Sequence, residues 1–210
     1  MKKLVIAGAG GMGREMVWLV DLINRVTPTW QIKGFLDDTM ETINNLAQGL
    51  DIIGTIQDWI PAEDEYFVVA IYNNHGRKAV AEKLKEKGAK FATLIQPYAL
   101  VAESAHFGTG CIVFTNASVG VNSSLGDFCY VQGGAIIGDD DKIGNYVTAA
   151  SRSFIGGRSI IGDFAYIGTG ALICPERNIG KDACVGIGSV VIRNIKDGVH
   201  VFGNPAKKIN

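Results

Sequence analysis

The stretch 161–172, IGDFAYIGTGAL, contains two consecutive six-residue units, each with an isoleucine followed by a glycine. Steps of six residues in both directions from Ile161 keep this register from residue 101 to residue 191 without an insertion. All sixteen positions in the series are apolar: Val101, Phe107, Val113, Val119, Leu125, Val131, Ile137, Ile143, Ala149, Ile155, Ile161, Ile167, Ile173, Ile179, Val185 and Val191. The next position is glycine in ten units: Gly108, Gly120, Gly126, Gly138, Gly144, Gly156, Gly162, Gly168, Gly180 and Gly186. A period of six is neither helical nor simple strand alternation, so it indicates a repeat architecture.

The period corresponds to one short strand with a single inward aliphatic side chain, followed by a turn. Three such units close a triangular coil, and successive coils stack through parallel backbone hydrogen bonds about 4.8 Å apart. The sixteen units therefore predict a parallel β-helix of about five coils, with residues 18 apart above one another. The glycines are expected at turns, because they tolerate backbone angles that a Cβ forbids. A solenoid that is only a structural spacer has the same period, so the repeat alone leaves the function open.

Composition excludes several classes of function. Hydrophobic residues make up 47% of the chain, which is typical of a globular protein. The formal net charge is −1, so the chain has no overall positive charge to attract nucleic acid or an anionic membrane. No segment has the roughly 20 apolar residues of a membrane helix. The apolar N-terminus breaks into glycines, which favours a buried strand over a signal peptide.

The cysteines do not have the spacing of a metal or redox site. None of Cys111, Cys129, Cys174 and Cys184 belongs to a CxxC motif, so reduced thiols in a cytoplasmic protein are expected and no metal site is predicted. Because Cys111 and Cys129 are 18 apart, they are interpreted as small buried residues that stack in adjacent coils.

The first third of the chain is typical of an α/β unit. LVIAGAGGMGREMVWLVDLIN (4–24) predicts a strand, a glycine turn and a helix, and Gly8, Gly10 and Gly13 match GxGxxG in that context. Such a turn brings backbone amides to a phosphate at the helix start. WQIKGFLDD (30–38), YFVVAIYNN (66–74) and KFATLI (90–95) predict three further strands, and HGRKAVAEKLKEKG (75–88) an amphipathic helix.

This unit is too small for a full dinucleotide fold. We predict a half-Rossmann domain over residues 1–96 and the β-helix with a C-terminal tail over residues 97–210. An acidic pair at the end of the second strand, Asp37 and Asp38, suits ribose or base hydroxyls, so the unit fits a mononucleotide better than NAD. A tight glycine turn without a ligand is the alternative.

The order of these two parts resembles the sialic acid O-acetyltransferase family (NeuD/PglD type) of hexapeptide-repeat sugar acyltransferases. The resemblance covers essentially the whole chain and includes GAGGMG (8–13), GFLDD (34–38), NNHGRK (73–78) and VFGNPAKKI (201–209). It implies a left-handed parallel β-helix, a cytoplasmic homotrimer, acetyl-CoA as cosubstrate and a UDP- or GDP-linked amino sugar as acceptor, in surface glycan synthesis.

The resemblance also implies binding residues. Amides of Gly10, Gly11 and Met12 would meet phosphate, and Asp37 and Asp38 would meet the uracil or ribose. CoA would lie along the β-helix between neighbouring subunits. The matching positions for CoA are Gly168, Gly170, Ala171, Gly186, Gly188, Asn204, Pro205 and Lys207, with Lys207 and Lys208 near the CoA phosphates.

The chain departs from the family at the catalytic position. The family uses a histidine as general base and a nearby acid to orient it. When the chain is aligned with the family from the C-terminal end, Asp139 occupies the position of the catalytic histidine and Asp140 that of the orienting acid. Both lie within VQGGAIIGDDDKIGN (131–145). Alignment from the N-terminal end places Val121 at the histidine instead.

Three interpretations of this departure remain open. In the first, Asp139 is a weak base for a neutral amine, and the crowded charges of Asp139, Asp140 and Asp141 raise one another's pKa, which moves an aspartate toward useful base strength. In the second, a histidine of a neighbouring subunit, such as His106, completes the site; His75 and His200 lie elsewhere in the sequence. In the third, the protein binds a nucleotide sugar or acts as a scaffold without catalysis.

N-acetylation is favoured over O-acetylation, because an amine needs less help from a base. A sugar-nucleotide dehydrogenase or epimerase is excluded by the short first unit and the lack of a YxxxK pair.

Overall fold

A computed structural model describes residues 1–39 and 49–209 of the chain. The chain divides into two compact units, Met1–Pro97 and Tyr98–Asn210. The fold class expected from the sequence is confirmed, since an α/β unit with a parallel sheet is followed along the chain by a parallel β-helix.

The first unit contains six strands and two helices in its described residues. In chain order these are β1 (Lys2–Ala7), α1 (Gly11–Val26), β2 (Trp30–Leu36), β3 (Ile52–Gly54), β4 (Glu65–Val69), α2 (Asn74–Glu86), β5 (Lys90–Phe91) and β6 (Leu94–Ile95). Strands β1 to β5 form a parallel sheet in the order β3-β2-β1-β4-β5. The order changes direction at β1, and the crevice beyond the carboxyl ends of strands at such a switch point is where open α/β sheets bind ligands.

Two details of this sheet differ from the sequence prediction. Strand β3 was not predicted, because its three residues are too short to show a period. The segment KFATLI forms two separate two-residue strands, β5 and β6, rather than one. The four predicted strands are therefore at the right places, but the sheet has a further edge strand beside β2.

The packing of α1 follows from its apolar spacing. Met16, Val17, Leu19 and Val20 are buried on one face of the helix, which is the pattern of an amphipathic helix that covers a sheet. Burial of each such side chain contributes about 1.5–3 kcal/mol.

The second unit is a stack of two-residue strands. The strands are β7 (Leu100–Val101), β8 (His106–Phe107), β9 (Ile112–Val113), β10 (Ser118–Val119), β11 (Ser124–Leu125), β12 (Tyr130–Val131), β13 (Ile136–Ile137), β14 (Lys142–Ile143), β15 (Thr148–Ala149), β16 (Phe154–Ile155), β17 (Ile160–Ile161), β18 (Tyr166–Ile167), β19 (Leu172–Ile173), β20 (Asn178–Ile179), β21 (Cys184–Val185), β22 (Val190–Val191), β23 (His200–Phe202) and β24 (Lys207–Lys208).

These strands form three faces with the predicted register of 18 residues. One face has the order β7-β10-β13-β16-β19-β22 and a second has β8-β11-β14-β17-β20. The third contains β9, β12, β15, β18, β21 and β23, and β24 closes it antiparallel to β23. The parallel pairs up to β22 join residues 18 apart, such as Val119 with Val101 and with Ile137, and only β21 with β23 joins residues 16 apart among the described parallel pairs of named strands in this unit.

The apolar series fills the interior as predicted. Its fourteen members from Val113 to Val191 are buried, and Val101 and Phe107 at the first coil are partly buried against the same core. The interpretation of Cys111 and Cys129 as buried stacking residues is confirmed. Neither forms a disulfide, both are buried, and their thiols donate to Gly126 O at 3.0 Å and to Gly144 O at 2.9 Å.

The expected reason for the repeated glycines is wrong. The left-handed backbone angles lie two residues after them, at residues such as Asn122 (φ 56°) and Asp140 (φ 57°), and not at the repeated glycines themselves. A Cβ on Gly138 would lie 2.6 Å from Gly157 N, and one on Gly144 would lie 2.4 Å from Asp163 Oδ1. Glycine is therefore required by close contact between coils, and Asn, Asp and even aromatic residues occupy the left-handed position.

Candidate active site

The turn that follows β13 carries Asp139 at the edge of a cavity. The cavity has a volume of about 390 Å³. Its lining contains glycines of the turns, outward side chains of the first face, one acidic residue and one basic residue. The lining residues are Ser118, Gly120, Ile136, Ile137, Gly138, Asp139, Phe154, Gly157, Arg158 and Pro175. An exposed carboxylate beside an apolar wall is an arrangement that can accept a proton from a bound amine.

The Asp139 side chain is oriented by the coil before it. Its Oδ1 accepts a hydrogen bond from Val121 N–H at 3.2 Å, and a Cβ on Gly120 would lie 2.3 Å from the same oxygen. Asp163 Oδ1 accepts an equivalent bond from Asn145 N–H at 2.7 Å. The bond is therefore a recurring element of these turns, and the cavity is what distinguishes Asp139 from Asp163.

Asp140 occupies the left-handed position of the same turn. Its Oδ1 accepts from Asn122 Nδ2 at 3.1 Å, and its N–H donates to Val121 O at 2.9 Å. Arg158 lies one coil further at the same hexad position, and its guanidinium pairs with Glu176, with Nη2 2.8 Å from Oε1. The cavity therefore contains an arginine that sequence reasoning missed, although residue 158 is 18 after residue 140.

The third aspartate of this run has a different environment from the first two. Asp141 is fully buried. Burial raises its pKa to about 6, and the charges of Asp139 and Asp140 add to the effect, whereas the backbone groups of Ser159 and Gly138 oppose it. The hexad register contained this information, because residue 141 shares the small inward position of Ser123 and Ser159.

The histidines do not lie at this turn within one chain. His106 is exposed on β8, and β8 is two strands below Lys142 in the second face, through Ser124. His75 lies in the first turn of α2, and His200 begins β23. The single chain therefore offers carboxylates, and not imidazole, beside the cavity.

The glycine turn of the first unit has the geometry of an anion site. Gly8 has φ +110°, and a Cβ on Gly13 would lie 2.0 Å from Gly8 O, so α1 packs directly on the end of β1. The N-cap of α1 is Gly10, which provides no side-chain cap, and no acid lies in the first turn. Gly10 and Gly11 are exposed and Met12 is half-buried, so their backbone can approach a ligand.

Asp37 and Asp38 lie next to this turn. Asp37 Oδ2 accepts from Ala9 N–H at 2.9 Å, and its Oδ1 accepts from Thr39 N–H at 3.0 Å. Partial burial opposes ionisation of Asp37, but the bonds from Ala9 and Thr39 outweigh it, so the pKa of this carboxyl is lowered. Asp38 is exposed, and its Oδ2 lies 3.9 Å from Lys83 Nζ.

The NNHGRK motif is held in place by its own arginine. Arg77 is fully buried, and its guanidinium donates to Ile71 O, Tyr72 O and Asn74 Oδ1 at 3.1–3.3 Å. Asn73 caps α2 by accepting from Gly76 N–H at 2.8 Å. The motif therefore shapes the segment after β4.

The three stretches expected to bind CoA are adjacent. Gly188 N–H donates to Thr169 O at 2.9 Å, which joins the Gly186–Ser189 turn to the Gly168–Ala171 turn. Val190, which follows the Gly186–Ser189 turn, donates to Gly203 O and accepts from Ala206 N–H, so the tail with Asn204, Pro205 and Lys207 folds back beside that turn. Gly170 and Gly188 have positive φ and open space around them. Gly168 and Ala171 are buried, so only backbone groups are available there. Lys207 and Lys208 are exposed on β24.

The described residues contain no group of His, Cys, Asp and Glu that could hold a metal ion. Within the same residues, neither helix is long and apolar enough to cross a membrane.

Comparison with known proteins connects both units with sugar acetyltransferases. A sequence profile described as the PglD N-terminal domain matches residues 3–84. UDP-N-acetylbacillosamine N-acetyltransferase of Bacillus subtilis is 33% identical over 117 residues, which are 54% of this chain and 51% of that protein. The match thus spans about half the length of this curated relative.

Solved structures are similar over the whole chain. The acetyltransferase domain of PglB from Neisseria gonorrhoeae has 32% identity and a TM-score of 0.88, with full coverage of both chains, and one of its structures contains acetyl coenzyme A. PerB from Caulobacter crescentus, in complex with CoA and GDP-perosamine, has 26% identity and a TM-score of 0.88, with 100% and 98% coverage.

Proposed function

Since the chain belongs to the NeuD/PglD-type family of hexapeptide-repeat sugar acyltransferases, we propose that it transfers the acetyl group of acetyl-CoA to the amine of a nucleotide-linked amino sugar. The observation that carries the proposal is Asp139, an exposed carboxylate at the edge of a cavity of about 390 Å³ whose lining includes the apolar side chains of Ile136 and Phe154. Similar proteins named as N-acetyltransferases, or bound to CoA and GDP-perosamine, support this choice of substrates.

In the proposed reaction, the neutral amine attacks the thioester carbonyl carbon, a C–N bond forms and the C–S bond breaks. Asp139 accepts the proton released by the nitrogen, and the departing thiolate of CoA takes up a proton. The Val121 amide and the close Gly120 backbone hold the carboxylate in place. Asp140, held by Asn122, keeps the turn in its left-handed conformation.

The nucleotide part of the acceptor is assigned to the first unit. Amides of Gly10, Gly11 and Met12 bind its phosphates, which suits an uncapped helix start. Asp38 is exposed, and its carboxylate, which accepts one bond from Gln57 N–H at 3.0 Å, would meet a ribose or a base. Asp37 already accepts bonds from Ala9 and Thr39, so its main role is to hold the glycine turn.

Acetyl-CoA is assigned to the C-terminal coils. The open backbone at Gly170 and Gly188 and the tail from Asn204 to Lys207 would bind it, together with Gly168, Ala171 and Gly186. The exposed ammonium of Lys207 suits its phosphates. We also propose a cytoplasmic homotrimer that acts in surface glycan synthesis, in which the exposed apolar stripe of the first face, Leu100, Ile136, Phe154 and Leu172, is covered by a second copy.

The test is release of free CoA thiol. The protein is incubated with acetyl-CoA and a panel of UDP- and GDP-amino sugars, and the N-acetyl product is identified by mass spectrometry. Asp139→Asn is expected to lower kcat by roughly 10²–10⁴-fold, because general base catalysis contributes that much. Asp163→Asn is the matched control, since it makes the same change at an equivalent turn carboxylate outside the cavity, and it should keep activity. Nucleotide-sugar binding without thiol release from any amino sugar would instead support a binding or scaffold protein.

A further inference from the structure

The cavity beside Asp139 contains a positive charge that the proposed reaction does not use. Among its lining residues, Asp139 is acidic, Arg158 is basic and the others are uncharged. Asp139 accepts the proton of the attacking amine, whereas the guanidinium has no part in that step. Arg158 also has a left-handed backbone (φ 61°), which Gly, Asn and Asp adopt more readily than arginine. Backbone preference therefore does not explain the arginine.

Arg158 lies one coil beyond Asp139, in close backbone contact with it. The Arg158 N–H donates to Asp139 O at 2.8 Å, and a Cβ on Gly157 would lie 2.9 Å from the same carbonyl oxygen. Neighbouring strands of a sheet are about 4.8 Å apart. A sugar whose amine meets Asp139 therefore places its adjacent substituents within reach of the Arg158 side chain.

The present partner of the guanidinium holds it weakly. Nε and Nη2 of Arg158 both donate to one oxygen of Glu176, Oε1, at 3.0 and 2.8 Å. The strongest arginine–carboxylate pairs instead use two parallel bonds to two oxygens. The two side chains are 64% and 58% exposed, and exposed ion pairs contribute little to stability. A ligand carboxylate can therefore replace Glu176 with little loss.

The chemistry of the cavity points to an anion on the sugar itself. The phosphates of the nucleotide are assigned to the glycine turn of the first unit, and those of CoA to Lys207. The walls beside Arg158 include the apolar side chains of Ile136 and Phe154, which suit the uncharged part of a sugar ring. Arginine is the side chain whose planar donors match a carboxylate.

We propose that Arg158 is a specificity-determining residue that binds a carboxylate on the acceptor sugar. The acceptor is then an acidic amino sugar, with its amine at Asp139 and its carboxylate at Arg158. This inference rests on the proposed function, because the cavity is the acceptor site only if Asp139 receives the proton of the amine. Glu176 pairs with the guanidinium until the carboxylate of the sugar replaces it.

The first experiment compares acceptors in the acetyl-transfer assay. UDP- and GDP-linked sugars with an amine at C3 or C4 are made in matched pairs, with a carboxylate or a methyl group at C6. The wild type should prefer the carboxylate form by about 10- to 100-fold in kcat/KM, because hydrogen bonds to charged groups discriminate by that much. Arg158→Gln should abolish this preference by lowering kcat/KM for the carboxylate form.

Arg25→Gln is the matched control for this experiment. It breaks another exposed arginine–carboxylate pair, that of Arg25 Nη2 with Asp21 Oδ2 at 2.7 Å, on α1 and outside the cavity lining. This variant should keep the preference for the carboxylate form. An equal loss of kcat/KM for both acceptor forms in Arg158→Gln would mean that Arg158 acts on a group common to both, such as a phosphate or the thioester, and would overturn the proposal.

The second experiment separates this inference from the proposed function, because binding does not require acetyl transfer. Each matched pair is titrated by calorimetry into the wild type and into Arg158→Gln without acetyl-CoA. The wild type should bind the carboxylate form about 10- to 100-fold more tightly, and Arg158→Gln should bind both forms alike. That result in a protein that releases no thiol from any amino sugar would uphold the carboxylate site and reject the proposed function. Equal binding of both forms by the wild type, with acetyl transfer to the methyl form, would overturn the inference and leave the proposed function intact.

Discussion

At the residue scale, Asp139 and Asp141 are two positions apart but have opposite environments. Asp139 is exposed at the cavity and accepts one backbone hydrogen bond, whereas Asp141 is fully buried between two serines. The turn between them separates the two environments: Asp139 lies in the turn after β13, Asp140 has the left-handed backbone (φ 57°), and Asp141 lies at the inward position just before β14. One short acidic run therefore supplies both a surface carboxylate and an interior carboxyl.

Burial of Asp141 predicts a pH dependence of stability. Its pKa is raised from 3.8 to about 6, so the folded state binds the proton more strongly than the unfolded state. The contribution of the protonated carboxyl is fully present below the ordinary pKa and is lost as pH rises through about 6. The loss is about 3 kcal/mol by linkage.

Urea unfolding between pH 4 and pH 7 measures this effect. Asp141→Asn provides the comparison, because it lacks the ionisation while every other group titrates as before. The wild type should lose unfolding free energy relative to the variant as pH rises. A difference between the two proteins that is constant with pH would contradict the burial of an ionisable carboxyl.

At the scale of elements, the strand, turn and helix of residues 2–26 depend on close backbone contact. A Cβ on Gly13 would lie 2.0 Å from the carbonyl oxygen of Gly8, while one on Gly10 would meet nothing within 4 Å. The two glycines belong to one motif but carry different constraints. Gly13 permits packing of the helix on the strand, and Gly10 leaves the helix start open.

Gly13→Ala should therefore displace α1 and abolish binding of UDP or GDP, with a clear loss of thermal stability. Gly10→Ala is the matched variant and should keep the fold and the melting temperature. Circular dichroism and calorimetric titration with the nucleotide measure the two effects. Similar melting temperatures for both variants would show that contact with Gly8 does not constrain the turn.

At the scale of the whole molecule, the second unit presents apolar side chains along one face. Leu100 is 73% exposed, Ile136 42% and Leu172 45%. They occupy the outward positions of β7, β13 and β19, which belong to one face of the β-helix. An exposed apolar stripe of this kind favours association with another protein surface.

Leu172→Glu should dissociate the proposed trimer, because charges in a buried apolar contact are strongly unfavourable. Light scattering coupled to size exclusion should then report one chain of 22.4 kDa instead of three. Ile60→Glu is the control, since Ile60 is 85% exposed in the first unit, and it should remain a trimer. A wild-type protein that is monomeric at micromolar concentration would contradict the proposal.

Much of the fold could be predicted because its signals are local and periodic. The hexad series identifies the interior residues of every coil, and the GxGxxG turn identifies the first strand and helix. Strand β3 was missed because three residues carry no period. The role of the repeated glycines was misjudged, because contact between residues 18 apart depends on the height of a coil and not on local backbone preference.

The candidate site could be predicted only in part. The hexad register placed Asp139 at a turn, but the cavity beside it requires residues from four successive coils, including Ile136, Phe154 and Pro175. The pKa of Asp141 depends on solvent exclusion by the coils above and below it. By itself, therefore, the sequence determined the β-helix, the glycine turn and the acid at the histidine position, because period and motif act along the chain. Only the tertiary structure decided which aspartate meets the cavity and which is buried, because solvent exclusion and the surrounding charges arise from residues brought together by folding.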